Sequence, residues 1–166
     1  MKYGCIAARL THSFSRLIHE RIGDYDYELR EVAPDALDDF MRRRDFCAVN
    51  VTIPYKRAVL PYLAGMDEAA RAVGAVNTMV NRGGELYGYN TDVYGMEAQL
   101  SHMGLSLRGK NVMILGTGGT SATAAAVAER AGARQIVTVS RTPHAGVIGY
   151  AEARERAADA QVIINA

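Results

Sequence analysis

The sequence predicts an α/β protein in two consecutive units, an N-terminal α/β domain followed by a partial parallel βαβαβ domain. Three observations carry this prediction. Short β-rich runs alternate with helical ones through the first hundred residues. Two strand-like runs joined by Arg82-Gly83-Gly84 then close that region as a hairpin. From residue 111 a short apolar strand passes through a glycine turn directly into an alanine-rich helix, the start of a βαβ unit.

Lys2 to Ala8, Tyr25 to Val32 and Phe46 to Thr52 read as strands, with Ser15 to Arg21 and Pro34 to Arg44 as helices. Two further helical stretches follow Pro54, and Ala75 to Asn81 and Glu85 to Tyr89 are the hairpin strands. Asp92 to Met103 reads as a helix, and Gly104 to Lys110 as a polar hinge, which puts the domain boundary between residues 1–103 and 104–166. In the second unit, residues 111–115 form a strand, Gly116 to Gly119 a turn, Thr120 to Ala131 a helix and Gln135 to Ser140 a second strand. Tyr150 to Ala158 then reads as a helix and Gln161 to Asn165 as a third strand. On this reading the chain completes one βαβαβ half of a doubly wound Rossmann domain and the other half is absent.

The composition narrows the function classes. With 49% hydrophobic and 22% charged residues the chain can bury a core and has the profile of a soluble globular protein. A formal net charge of +1, with the basic residues dispersed, offers no stripe to neutralise a run of phosphates, which argues against nucleic acid. No apolar run approaches the roughly 20 residues of a membrane span, and no signal core opens the chain. Cys5 and Cys47 lie far apart without CxxC or Cys/His spacing, so they read as reduced thiols of a cytoplasmic protein, and no metal site is expected.

Strand, then Gly116-Thr117-Gly118-Gly119-Thr120-Ser121, then helix is the arrangement that lets backbone N–H groups approach a pyrophosphate at a helix N-terminus. The third glycine of GxGxxG is replaced by Ser121, or by Ala122 one step on. A dinucleotide site is the reading preferred over an ordinary glycine-rich turn because the context is right on both sides. The end of the following strand chooses the cofactor. An acidic residue there would bind the ribose hydroxyl of NAD, whereas Ser140-Arg141-Thr142 sets a guanidinium between two hydroxyls, suited to the extra phosphate of NADP.

The first unit carries four candidate segments. His12-Ser13-Phe14-Ser15 stands where a strand passes into a helix, so its hydroxyls either cap the helix or face a cleft. In Asn50-Val51-Thr52-Ile53-Pro54-Tyr55-Lys56 the proline marks a first helical turn and puts Lys56 in it. The positive end of a helix disfavours the ammonium form, which suits a group that exchanges protons; a solvated surface lysine is the bland alternative. Gly74-Ala75-Val76-Asn77-Thr78 opens a strand, and Tyr89-Asn90-Thr91-Asp92 leads into a helix whose first turn favours the carboxylate. Asp92 either serves that helix alone or pairs with Lys56 across a cleft.

In this order the segments resemble the shikimate dehydrogenase family, and the resemblance runs from His12-Ser13-Phe14-Ser15 to the closing Val-Ile-Ile-Asn-Ala. It implies reversible NADPH-dependent reduction of 3-dehydroshikimate to shikimate, a step toward the aromatic amino acids, in a cleft between two domains. It further implies that Ser13, Ser15, Thr52 and Asn77 bond the carboxylate and hydroxyls of this small-molecule substrate. Lys56 and Asp92 are then the catalytic pair, both touching substrate, with Lys56 mediating proton transfer. Gly116, Gly118, Gly119 and Thr120 would hold the pyrophosphate of NADP, and Ser140, Arg141 and Thr142 its extra phosphate. A homodimer is kept open.

The departures also have implications. Ala7-Ala8-Arg9-Leu10 stands where the family usually has Gly-x-Pro-Ile, and Arg16 replaces the proline after the second serine. Losing two prolines loosens the loop and adds cations at its rim. Quinate or an amino analogue is therefore an alternative substrate. Family members also continue past Ala166 into nicotinamide contacts and a substrate-reaching glutamine, so the resemblance implies a chain truncated within its cofactor domain. A non-catalytic shikimate-binding module is the alternative of a different class.

Overall fold

The computed structural model describes residues 1–11 and 13–166. His12, in the first candidate segment, lies outside the described residues. The chain divides into two compact units, Met1–Thr91 and Asp92–Ala166. The division precedes the helix that the sequence reading assigned to the first domain, not the hinge that follows it.

The first unit runs β1 (Tyr3–Ala7), α1 (Ser15–Ile22), β2 (Tyr27–Glu31), a 3-10 turn at Pro34–Ala36 continuing into α2 (Leu37–Arg43), and β3 (Ala48–Val51). It continues with α3 (Tyr55–Ala58), a 3-10 turn at Leu60–Tyr62, β4 (Gly65–Met66), α4 (Glu68–Val73), β5 (Thr78–Arg82) and β6 (Glu85–Tyr89). These strands form a mixed sheet in the order β2-β1-β3-β5-β6-β4. β1 lies parallel to β2 and β3, while β5 runs antiparallel to β3 and β6. The predicted hairpin is present, and Gly83 and Gly84 both take positive φ, the conformation its turn requires. β4 has only two residues, too few to leave a periodic signal.

Period-2 alternation divides the two faces of this sheet. Ile6, Val49, Val51, Met79 and Leu86 point to one face and pack with Leu37, Phe40, Met41, Tyr55 and Val59 in one buried cluster. Each such side chain contributes about 1.5–3 kcal/mol through burial. The register puts Cys5 beside Asn50, Asn50 beside Thr78 and Thr78 beside Tyr89, so the opposite face gathers the polar side chains.

Two helical details differ from expectation. Pro54 precedes α3 as its N-cap and does not occupy its first turn, and α3 is a single turn of four residues. So short a helix gives the dipole argument for Lys56 little to act on. The long helix expected from Pro34 begins as a 3-10 turn, as is frequent at α-helix N-termini.

The second unit contains α5 (Thr91–His102), β7 (Asn111–Leu115), α6 (Gly119–Arg130), β8 (Gln135–Ser140), β9 (Val147–Gly149), α7 (Tyr150–Arg156) and β10 (Val162–Asn165). All but the first residue of α5 fall within it, and Glu97 of α5 pairs with Arg130 of α6 at 3.1 Å. The four strands are parallel, in the order β10-β7-β8-β9. Val112 and Ile114 are buried on one face of β7, where α6 packs, while Met113 clusters with Val139 and Ala153 on the other.

That order corrects the expected half-domain. The third strand is β9, and β10 is a fourth that returns to the far side of β7. The switch in winding direction, beside which doubly wound sheets bind ligands, therefore lies within this unit. β9 escaped detection because it has three residues and no helix separates it from β8. Residues 141–146 make that parallel connection in less than the usual dozen residues, turning on reciprocal backbone bonds between His144 and Val147 of 3.1 and 2.8 Å.

Candidate functional site

In the first unit, the segments around Thr52–Lys56, Asn77 and Tyr89–Thr91 meet at the ends of β3, β5 and β6. The Asn77 carbonyl accepts the Val51 N–H at 2.8 Å, and the Asn77 N–H donates to the Tyr89 carbonyl at 3.0 Å. The Thr52 N–H donates to the Ile6 carbonyl at 3.1 Å, and the Thr52 carbonyl accepts the Tyr55 N–H at 2.8 Å, the turn that starts α3. The Lys56 carbonyl accepts the Val76 N–H at 2.9 Å, so the lysine's helix is laced to the strand entry carrying Asn77. Thr52, Lys56 and Asn77 are each half-buried.

Side chains extend this frame. The Asn77 carboxamide oxygen accepts the Thr91 N–H at 2.9 Å, and its nitrogen donates to the Thr91 hydroxyl at 2.8 Å. Asn90, 1% exposed, donates to the Ala75 carbonyl at 3.0 Å and ties the same corner from beneath. At the head of α1 the Ser13 hydroxyl accepts the Ser15 N–H at 3.3 Å, and both serines are half-buried. The N-cap of α1 is Phe14, which supplies no side-chain cap, so Ser13 satisfies one of the exposed amides.

Lys56 acts on its surroundings electrostatically. Burial pushes the Cys5 thiol above the ordinary cysteine value, and the Lys56 ammonium opposes that shift. The rim cation introduced at Arg16 is spent locally, since its guanidinium pairs with Glu20 one turn along α1 at 2.6 Å. Asp92 lies in the first turn of α5, in the second unit.

The second unit builds a cradle from backbone. Gly116 ends β7 at φ 125°, and a Cβ there would come within 2.0 Å of the Ala166 carbonyl oxygen at the end of β10. Only glycine fits. Gly118 and Gly119 face open space at their Cβ positions, leaving room for a ligand beside the start of α6. Ser121, in place of the third glycine, donates to the Gly116 carbonyl at 2.7 Å and closes the turn.

A cavity of about 510 Å³ opens there, walled by Gly116, Gly118, Ser140, Arg141 and Thr142 among others, with no Asp or Glu side chain on its wall. The Ser140 hydroxyl accepts the Thr142 N–H at 3.2 Å and holds the Ser-Arg-Thr turn. These residues fit a dinucleotide with a phosphate at the Arg141 end. Gly119 and Thr120 stand on the first turn of α6 and not on the cavity wall, whereas Thr117, His144 and Tyr150 line it without having been singled out.

The sequence reading also missed Tyr27. Its hydroxyl donates to the Asn50 carboxamide oxygen and its ring stacks on His19 at 3.9 Å, with the planes 12° apart. The available signal was the alternation that puts Tyr27 on the same sheet face as Asn50; nothing in the sequence fixed their distance.

A parallel sheet wound in both directions about a glycine turn makes the second unit one of the doubly wound dinucleotide-binding class. Residues 5–79 match the model of the shikimate dehydrogenase substrate binding domain. Shikimate dehydrogenase (NADP(+)) of Geobacillus kaustophilus is 36% identical, over 98% of this chain and 67% of the relative. That of Halothermothrix orenii is 41% identical over 84% of this chain. The crystal structure of shikimate 5-dehydrogenase from Thermus thermophilus, in complex with NADP(H) and shikimate, superposes with a TM-score of 0.85 at 29% identity, covering 100% of this chain and 68% of that one. The chain belongs to the shikimate dehydrogenase family. It spans about half the length of the Halothermothrix orenii relative, 51%.

Proposed function

We propose that this chain carries the substrate-binding unit and part of the cofactor unit of an NADP-dependent shikimate dehydrogenase, reducing 3-dehydroshikimate reversibly to shikimate. The supporting observation is the pairing of two sites in one chain: the polar corner of Thr52, Lys56 and Asn77, and a cradle whose phosphate end is Arg141. Substrate-binding and NADP-bearing relatives agree with it.

In this reading Ser13, Ser15, Thr52 and Asn77 bind the carboxylate and hydroxyls of the substrate, each being a short neutral group that is half-buried. Lys56 stabilises the charge that develops on the ketone oxygen and delivers its proton, and Asp92 accepts from a substrate hydroxyl. Gly116, Gly118, Gly119 and Thr120 take the pyrophosphate; Ser140, Arg141 and Thr142 take the phosphate specific to NADP. NADPH, when bound, supplies the hydride. The free thiols of Cys5 and Cys47 suit a cytoplasmic location.

Mixing the chain with shikimate and NADP and following the absorbance of the reduced nicotinamide tests the activity; calorimetry with shikimate tests binding by itself. Turnover supports the enzyme, and binding without turnover supports the module that only holds the acid. Lys56→Ala is expected to abolish turnover, a loss of about 10²–10⁴ for one proton-transfer group, with NADP affinity unchanged. Wild-type rates in that variant would remove Lys56 from the chemistry.

A further inference from the structure

A tyrosine that the proposed chemistry does not use stands between two residues that it does. Tyr27 opens β2, is 4% exposed, and lies with its ring stacked on His19. The Ser15 side chain interacts with the Tyr27 phenol, and the phenol donates to the Asn50 carboxamide oxygen. The row continues: the Asn50 nitrogen donates to the Thr78 hydroxyl at 3.0 Å, and that hydroxyl donates to the Asn77 carboxamide oxygen at 3.2 Å. It ends on Thr91, which takes the Asn77 amide bond at 2.8 Å. Every member lies within the first unit.

We propose that Tyr27 is a positioning residue of the substrate site, fixing Ser15 directly and Asn77 through Asn50 and Thr78. The inference rests on the reading of Ser15 and Asn77 as substrate ligands. Ser15 needs such a partner: α1 contributes no fully buried residue and the Ser13 hydroxyl engages only the Ser15 backbone N–H, so packing does not choose among the three staggered positions of the Ser15 hydroxyl. Asn77 needs one for a different reason, since a carboxamide has two near-equivalent flips and only its neighbours select one. The Thr78 hydroxyl and the Thr91 N–H both donate to its oxygen, which turns the amide nitrogen one way only.

A phenylalanine would fill the same volume and stack on His19 equally well. Burying a phenol is costly unless the hydroxyl is used, and here its donor bond goes to the row. Removing the oxygen leaves the Asn50 carbonyl without its donor, frees that amide to flip, and loosens Thr78 and then Asn77. Ser15 loses its tether in the same step.

The test is calorimetric titration of the whole chain with shikimate for the unsubstituted protein, Tyr27→Phe, Ser15→Ala and the double variant. Tyr27→Phe is expected to weaken shikimate binding about five- to tenfold, the worth of one or two neutral hydrogen bonds, with NADP binding unchanged. In the Ser15→Ala background its effect should shrink by about half on a logarithmic scale, because one of its two routes has gone. Thr78→Val cuts the other route without touching Tyr27 and should likewise reduce the Tyr27→Phe effect. An unchanged shikimate affinity in Tyr27→Phe, or an equal loss in every background, overturns the proposal while leaving the function reading in place. No shikimate binding by the unsubstituted chain overturns the function reading itself, and the positioning role falls with it.

Discussion

The two units present their sites by opposite means. In the first, side chains are held against one another: Asn77, Thr91, Asn50, Thr78 and Tyr27 form bonds that fix rotamers and amide flips. In the second, much of the cradle is made by side chains that are missing, with glycine at 116 for close approach and at 118 and 119 for open space. A site made of side chains should degrade gradually under substitution, since neighbours reorganise. A site made of backbone should fail at one position and tolerate change at the next, depending on what a Cβ would meet.

Gly116→Ala gives the sharpest expected effect. Its new methyl would meet the Ala166 carbonyl oxygen at 2.0 Å, and φ 125° is itself a glycine conformation. A loss of roughly 3 kcal/mol or more in the stability of the second unit is expected, from strain plus a backbone clash. Denaturant unfolding measures it. Gly118→Ala is the matched control: with nothing within 4 Å of its Cβ, stability should move by no more than about 0.5 kcal/mol while NADP affinity falls, because the methyl enters the space proposed for the pyrophosphate. Equal effects at the two positions would erase the distinction between a glycine kept for the fold and one kept for a ligand.

The Arg141 substitutions come next. Arg141→Ala should weaken NADP binding by about ten- to a hundredfold, the range for a hydrogen bond to a charged group, and leave NAD binding nearly as it was. Titration with both nucleotides checks the ratio. In the first unit, Asn90→Ala removes the donor to the buried Ala75 carbonyl and should cost about 1–3 kcal/mol, read as a fall in the unfolding midpoint. A smaller cost would mean that the corner beneath Asn77 reorganises more freely than its bonding implies.

The contrast between units also explains what the sequence disclosed. Glu85–Tyr89, residues 111–115 and Gln135–Ser140 were legible to the residue because apolar periodicity and turn chemistry mark them at both ends. The glycine turn was legible because strand, glycines and helix follow one another directly in sequence, although the contact that reserves position 116 for glycine comes from Ala166, far along the chain. Strand β9 was not, since three residues carry no period, and without it β10 was taken for the third strand. The row from Ser15 to Asn77 was hidden for a deeper reason. Tyr27, Asn50 and Thr78 are brought together only by sheet register, a long-range property that no local pattern encodes.

The smallest effect expected is alkaline, and it bears on the first unit alone. Burial, reinforced by the nearby Cys5 and Tyr25, holds the Tyr27 phenol well above the ordinary tyrosine value, and burial likewise raises the Cys5 thiol. A group whose folded pKa exceeds its unfolded one binds its proton more tightly in the native state. Its contribution to stability is therefore complete below the unfolded value and is lost as pH rises toward the folded one. Stability should hold through neutrality and fall progressively above pH ~10, where unfolded tyrosines ionise, with the Cys5 share beginning somewhat lower. Unfolding curves across that range should be flatter in Tyr27→Phe, which has no proton to lose. A slope unchanged by the substitution would mean that the phenol is more hydrated than its 4% exposure implies, and a side-chain site so hydrated could not hold Ser15 or Asn77 in one orientation.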